Sequence, residues 1–259
     1  MGGESMTHTA PRGGGSGTGP VGSRTGQRLS GLAVALGLVL FLGGFAWAAV
    51  VYRPYTVPTS SMTPTIDAGD RILAQRVDGG AVRRGDVVVF KDVSWANAPM
   101  VKRVVAVGGD TVSCCQDGGL KVNGKKIDEA YLPAGASEGA NNFPTVTVPE
   151  GRLFLLGDER GSSVDSTAHL TDAASGTVAR SAVDARVDAV VWPMEGMLER
   201  PTGFEPLGAL SSPGPLRTIT LLIVAGGVLV LGGGAYGPVA KRAGAARARR
   251  ASAEPAGVR

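Results

Sequence analysis

The sequence is short of soft metal ligands and of base-stacking side chains. It has two histidines, His8 and His169, and two cysteines, the neighbours Cys114 and Cys115. No C-x-x-C pair occurs, so a zinc site has too few ligands, and neither metal nor cofactor is expected. Aromatic residues are 5% of the chain. The formal charge is +4, but basic residues gather at the two ends beside apolar runs, as in Lys241-Arg242, Arg247, Arg249 and Arg250. Without interleaved aromatics, that distribution argues against nucleic acid as a partner.

Charge is missing altogether from two long runs. Gly31 to Val51 carries none, and at about 1.5 Å per residue it reaches about 30 Å, one hydrocarbon core. Ala46-Trp47-Ala48 looks like a small-x-small cleavage site, yet the apolar core of a signal peptide is only about 7–15 residues long, so an uncleaved anchor is expected. Thr218 to Ala240 is also uncharged, and Gly226, Gly227 and Gly232 to Gly234 suit a membrane helix better than a soluble one. Arg12, Arg24 and Arg28 precede the first run, and Lys241 and Arg242 follow the second. The positive-inside tendency then puts both termini in the cytoplasm and the region between outside it. About 150 residues lie between the spans, enough for one domain with a real core.

The expected organisation is a disordered cytoplasmic tail over 1–29, a transmembrane helix over 30–51 and a catalytic domain over 52–205. A linker over 206–215, a second transmembrane helix over 216–240 and a basic cytoplasmic tail over 241–259 follow. The tail 1–29 is rich in Gly, Ser and Thr and has no apolar periodicity. The central region reads as strands: Arg71–Arg76, Asp86–Lys91, Met100–Val107, Leu120–Val122, Thr145–Val148, Arg152–Leu156 and Ala185–Trp192. Gly, Asn, Asp and Pro clusters part them, and Asn123-Gly124 is a hairpin signal. Apart from a turn near Ala173, no helical period appears there. The fold class expected is therefore a mainly β, antiparallel, barrel-like extracytoplasmic domain between two transmembrane α-helices.

The chemistry-bearing residues stand out by placement. Ser61 sits in Pro58-Thr59-Ser60-Ser61-Met62-Thr63-Pro64-Thr65, where two prolines stiffen the backbone and hydroxyls crowd together. Serine is a poor nucleophile at neutral pH without a base. Of six lysines, Lys91, Lys121, Lys125 and Lys126 lie at strand ends or in turns, and Lys241 flanks a span. Only Lys102 has apolar runs on both sides, Pro99 to Val101 before it and Val104 to Val107 after Arg103. Desolvation on such a face lowers a lysine's pKa and leaves it able to act as a base. The ordinary reading of Lys102 alone is a snorkelling lysine on an edge strand. A rival triad would pair Ser61 with His169 and an aspartate. The loop Gly157 to Ser166 is dense in carboxylates and hydroxyls that could orient a lysine or pair with Arg103.

In order along the chain, these segments resemble the type I signal peptidases (leader peptidases), membrane serine proteases with a Ser/Lys dyad. The resemblance covers roughly Tyr52 to Trp192. It rests on the box around Ser61, on Arg84-Gly85-Asp86-Val87-Val88, on Val101-Lys102-Arg103 through Gly108-Gly109-Asp110, and on Pro149-Glu150-Gly151 with Gly157-Asp158-x-Arg160-x-x-Ser163-x-Asp165-Ser166. It implies Ser61 as nucleophile and Lys102 as general base, with Thr59 at the oxyanion position and Ser163 orienting the lysine. Tyr55, Val57, Met62 and Val101 would line pockets for small side chains, and Arg103 would pair with Asp158. Thr167 stands where the family has an arginine, which leaves Asp165 without its expected partner. The implied activity is cleavage of signal peptides from exported preproteins after small-x-small (Ala-x-Ala) sites at the cell membrane. That reading brings in the lipid bilayer and admits the secretion translocase as a partner. A membrane-tethered β-domain binding or chaperone module with an inactive dyad is the alternative from another class, and a processing protease with few substrates is a third. In an oxidising compartment Cys114 and Cys115 can be two reduced thiols, one bridged pair or two links to other chains, and the bridged pair is the reading favoured.

Overall fold

A computed structural model describes residues 24–95, 97–115, 118–136 and 142–252. Most of the tail expected over 1–29, and the end of that over 241–259, lie outside them. The described residues divide into a helical unit, 24–44 with 221–252, and a β unit, Phe45–Thr220.

Helix α1 is Arg24–Val51 and helix α2 is Leu216–Ser252. Both contain a stretch long and apolar enough to cross a membrane, Gly26–Val51 and Leu216–Tyr236. In the helical unit glycine allows close approach. A Cβ on Gly37 would stand 2.8 Å from Gly226 O, and one on Gly226 would stand 2.5 Å from Phe41 N. Ser30 Oγ donates across the same interface to Gly233 O at 2.8 Å. Apolar side chains gain little from meeting each other in lipid, so small residues and interhelical hydrogen bonds carry such contacts.

Among its described residues the β unit holds twelve strands in two antiparallel sheets. They are β1 Tyr52–Thr56, β2 Arg71–Arg76, β3 Val87–Phe90, β4 Met100–Val107, β5 Thr111–Cys114 and β6 Lys121–Val122. The others are β7 Lys125–Lys126, β8 Phe143–Thr147, β9 Arg152–Leu156, β10 Val178–Ala179, β11 Val183–Trp192 and β12 Gly196–Met197. The larger sheet runs β1-β2-β11-β3-β4-β9-β10, with β12 also on β11, and the smaller runs β7-β6-β5-β8. The register shifts in β11 between Val187 and Ala189 and in β4 between Val104 and Ala106. Bulges of this kind bend and twist strands, and they curl the large sheet into an open half-barrel. The expected β class and antiparallel pairing hold.

β3 and β9 are nearly continuous apolar runs because both their faces are covered. Val87 and Val89 point into one apolar cluster with Ile72, Ala185 and Val187, while Val88 and Phe90 join another with Val104, Leu153 and Leu155. A third cluster, around Phe143, Phe154 and Phe204, lies under the smaller sheet. The segment 201–215, whose part from 206 onward was expected as a linker, is packed onto the domain. Phe204 is fully buried, Arg84 Nη1 donates to Leu207 O at 3.0 Å, and Ser211 Oγ donates to Asp86 Oδ2 at 2.6 Å.

Candidate active site

β1 ends at Thr56 and the chain turns immediately. Thr63 N donates to Ser60 O and Ile66 N to Met62 O, both at 3.0 Å, so the Ser61 box folds back on itself. β4 delivers the lysine. Its register sets Lys102 opposite Val88 and Arg103 opposite Val87. Lys102 is 3% exposed, and its Nζ lies 2.6 Å from Ser61 Oγ. Burial lowers the lysine's pKa, and the carboxylates of Asp165 and Asp158 oppose that lowering without cancelling it. Deprotonation is therefore easier than for a free lysine. Thr59 Oγ1 is 3.4 Å from Ser61 Oγ on the exposed side.

The dyad borders a small cleft of about 140 Å³ lined by Tyr55, Val57, Thr59, Ser61, Val101 and Lys102 among others. Three of the four residues expected at the substrate pockets are therefore there. Met62 is not. It is fully buried in the cluster with Val57, Ile66 and Ile72, because the fold-back onto Ile66 turns it into the core.

The loop after β9 closes the back of the site. Arg103 is 2% exposed and donates from Nε to Asp158 Oδ1 at 2.8 Å and from Nη2 to Asp158 Oδ2 at 2.6 Å. Its other hydrogen bonds reach Gly85 O at 2.9 Å and Thr65 Oγ1 at 3.2 Å. Burial alone would lower its pKa, but the charge and hydrogen bonds of Asp158 more than offset this and raise it. Thr65 Oγ1 donates in turn to Asp158 Oδ2 at 2.5 Å, and Glu159 N donates to Ser61 O at 3.2 Å. Two residues of this loop thus hold the nucleophile turn from behind. Gly157 lies in direct contact with that turn, and a Cβ there would collide with Ser163 Oγ and stand 2.5 Å from Ser61 O.

Asp165 finds partners inside its own loop. It accepts from Gly157 N at 2.9 Å, from Thr167 N at 3.0 Å and from Thr167 Oγ1 at 2.8 Å. Thr167, standing in place of an arginine, therefore supplies a hydroxyl and an amide where a cation was expected. Ser163 is 8% exposed, and its Oγ is buried without a hydrogen bond. It packs against Gly157 and makes no bond to Lys102 that would orient it. His169 is kept from the dyad, stacked on Trp95 at 4.4 Å with Nδ1 2.8 Å from Asp172 Oδ2. The triad alternative has no geometry here. Cys114 and Cys115 are joined by a disulfide at the end of β5. Among the described residues no cluster of three or more metal-ligating side chains occurs.

A family model described as signal peptidase, peptidase S26, matches residues 29–192. The chain belongs to this family. The stretch from Leu29 to Trp192 takes in the first apolar run, the dyad and every loop that surrounds it. Signal peptidase I of Mycobacterium tuberculosis (strain CDC 1551 / Oshkosh) is 35% identical over 193 residues, 55% of this chain and 66% of that protein. The chain thus spans just under two thirds of that relative's length. Signal peptidase I of Bacillus licheniformis is 35% identical over 144 residues, 52% of this chain and 73% of that protein. A solved signal peptidase I from Enterococcus faecalis V583 is similar at 26% identity and a TM-score of 0.32, over 45% of this chain and 96% of that one. Two apolar helices in a signal peptidase family member mark a membrane protein.

Sequence reasoning missed Glu129 and Tyr131. Tyr131 lies under the Arg103 guanidinium at 3.9 Å from the ring centre. Glu129 takes both arms of Arg160, at 3.0 and 2.5 Å. Neither residue sits in an apolar run or a boxed segment, so nothing in the local pattern marks them.

Proposed function

We propose that the chain is a membrane serine endopeptidase that removes signal peptides from exported preproteins after small-x-small sites. The observation that carries this reading is the 2.6 Å approach of a buried, pKa-lowered Lys102 to Ser61 Oγ. Neutral Lys102 takes the proton from Ser61 Oγ, which attacks the scissile carbonyl. Thr59 Oγ1, 3.4 Å from Ser61 Oγ, is the side-chain donor assigned to the oxyanion that forms. The lysine, now an ammonium, gives its proton to the departing amine and leaves an acyl ester on Ser61. Lys102 then takes a proton from the water that attacks the ester and returns it to Ser61 Oγ as the acid departs. A cleft of about 140 Å³ fits side chains of the size of alanine, which agrees with small-x-small selection.

Both termini are proposed to be cytoplasmic and the β unit extracytoplasmic. The lipid bilayer then surrounds the two apolar helices, and the secretion translocase is the expected source of substrate. The test of the activity is incubation of the detergent-purified chain with a preprotein. The mature fragment is expected, with cleavage after an Ala-x-Ala site. An intact preprotein would instead favour the binding-module reading.

A further inference from the structure

Arg160 and its partners lie behind the dyad and take no part in the chemistry above. The Arg160 side chain is 3% exposed and that of Glu129 7%. Glu129 accepts from Nη1 and Nη2, and Tyr131 OH accepts from Nη2 at 3.1 Å while donating to Glu129 Oε1 at 2.7 Å. Nε is left for one bond, to Gly157 O at 2.9 Å. Each of the three guanidinium nitrogens thus has a partner, four hydrogen bonds in all, and Gly157 O is held at a fixed point.

Gly157 is the piece that touches the nucleophile. Its α-carbon packs against Ser61 O and Ser163, its amide is held by Asp165, and the next residue, Asp158, is held by Arg103. A shift of the Gly157 peptide would therefore be passed to Ser61 through direct contact and to Lys102 through the carboxylates beside it. Glu129 and Tyr131 come from the stretch after β7, outside the loop they brace. Tyr131 also stacks on Arg103, so one short segment fixes Arg160 of the loop and Arg103 of β4, which holds the loop's Asp158.

Resting on the peptidase reading, we infer that Glu129 and Tyr131 are positioning residues that hold Ser61 against Lys102 through Arg160 and Gly157. A carboxylate is required at 129 because a buried guanidinium needs a bidentate anionic partner to keep one orientation.

The experiment uses the full chain in detergent with a preprotein substrate. Glu129→Gln keeps the shape of the side chain and removes its charge. Its kcat should fall about 10- to 100-fold, as for misplacement of reacting groups by about an ångström, with KM changed by less than about threefold since the cleft is untouched. Tyr131→Phe keeps the ring under Arg103 and removes the hydroxyl that links Glu129 to Arg160. It should show the same kcat-weighted loss, smaller in size. The pH midpoint of kcat supplies a second readout. Removing an anion would by itself move the Lys102 midpoint down, whereas loosening of the loop admits water and moves it up. An upward shift is expected. Folded Glu129→Gln with kcat within about twofold of wild type, or a loss confined to KM, would overturn the inference. If Glu129→Gln does not fold, the same criteria apply to Tyr131→Phe. Wild-type protein that fails to cleave would instead refute the peptidase reading itself.

Discussion

Replacing Asp158 by asparagine offers a quantitative test of how the back of the site is built. The Arg103 and Asp158 side chains are 2% and 0% exposed, so water cannot replace a lost partner. In the native pair each Asp158 oxygen accepts from the guanidinium, and Oδ2 accepts from the Thr65 hydroxyl as well. Whichever way the new amide is turned, its NH₂ faces a donor, Nε in one orientation and Nη2 with the Thr65 hydroxyl in the other. The substitution also leaves a buried cation with no anion. Breaking a buried pair on one side costs about 3–5 kcal/mol. For a domain of this size each kcal/mol moves Tm by about 2–4 °C, so a fall of about 6–20 °C is expected. The measurement is thermal denaturation of the purified protein in detergent, followed by tryptophan fluorescence. The double variant Arg103→Met/Asp158→Leu removes both charges and should lose less than Asp158→Asn alone. A fall below about 3 °C for Asp158→Asn, equivalent to roughly 1 kcal/mol, would show that the pair is not the brace described here.

Ser61→Ala and Lys102→Ala should each abolish preprotein cleavage with the fold retained by circular dichroism. Lys102→Arg should fail too, because a guanidinium stays protonated, while His169→Ala should cleave normally; near-native turnover in Lys102→Ala would end the dyad mechanism. The cleavage rate should rise with pH through the lowered Lys102 pKa, because the neutral amine is the active form and burial shifts the rise below the ordinary lysine value. A rate that instead declines as pH rises from 6 to 9 would contradict a lysine base. Alkylation of the unreduced protein followed by mass spectrometry should find Cys114 and Cys115 unmodified, and replacing both by serine should lower Tm modestly and leave cleavage largely intact.

Much of this fold could be read from local pattern. Arg71–Arg76, Met100–Val107 and Arg152–Leu156 were legible as strands to the residue, because β-branched and aliphatic runs end there in turn residues. Tyr52–Thr56 was not, since Pro54 and Arg53 mask the pattern. Proline is tolerated there because β1 is an edge strand with one side unpaired. Lys102 was legible for a different reason, being a charge inside an apolar run. The partners of Asp165 and the Glu129–Arg160 pair were not legible. Both depend on how a loop folds in three dimensions, and polar residues in loops look alike along a sequence. Met62 was misplaced on the same ground, since only the fold-back onto Ile66 decides which way its side chain turns.

The modest size of the cleft beside Ser61 bears on inhibition. Sites that hold drug-sized molecules by enclosure usually offer about 300–1,000 Å³, and this one offers about 140 Å³. A compound seated there would leave most of its surface in solvent, and apolar contact alone would give it little affinity. Tight inhibition would have to come from an electrophile that Ser61 can attack, or from an extended backbone that pairs along the open side of β1. On the proposed mechanism Lys102 would be the base that assists capture of such an electrophile, and potency should be measured as a rate of inactivation.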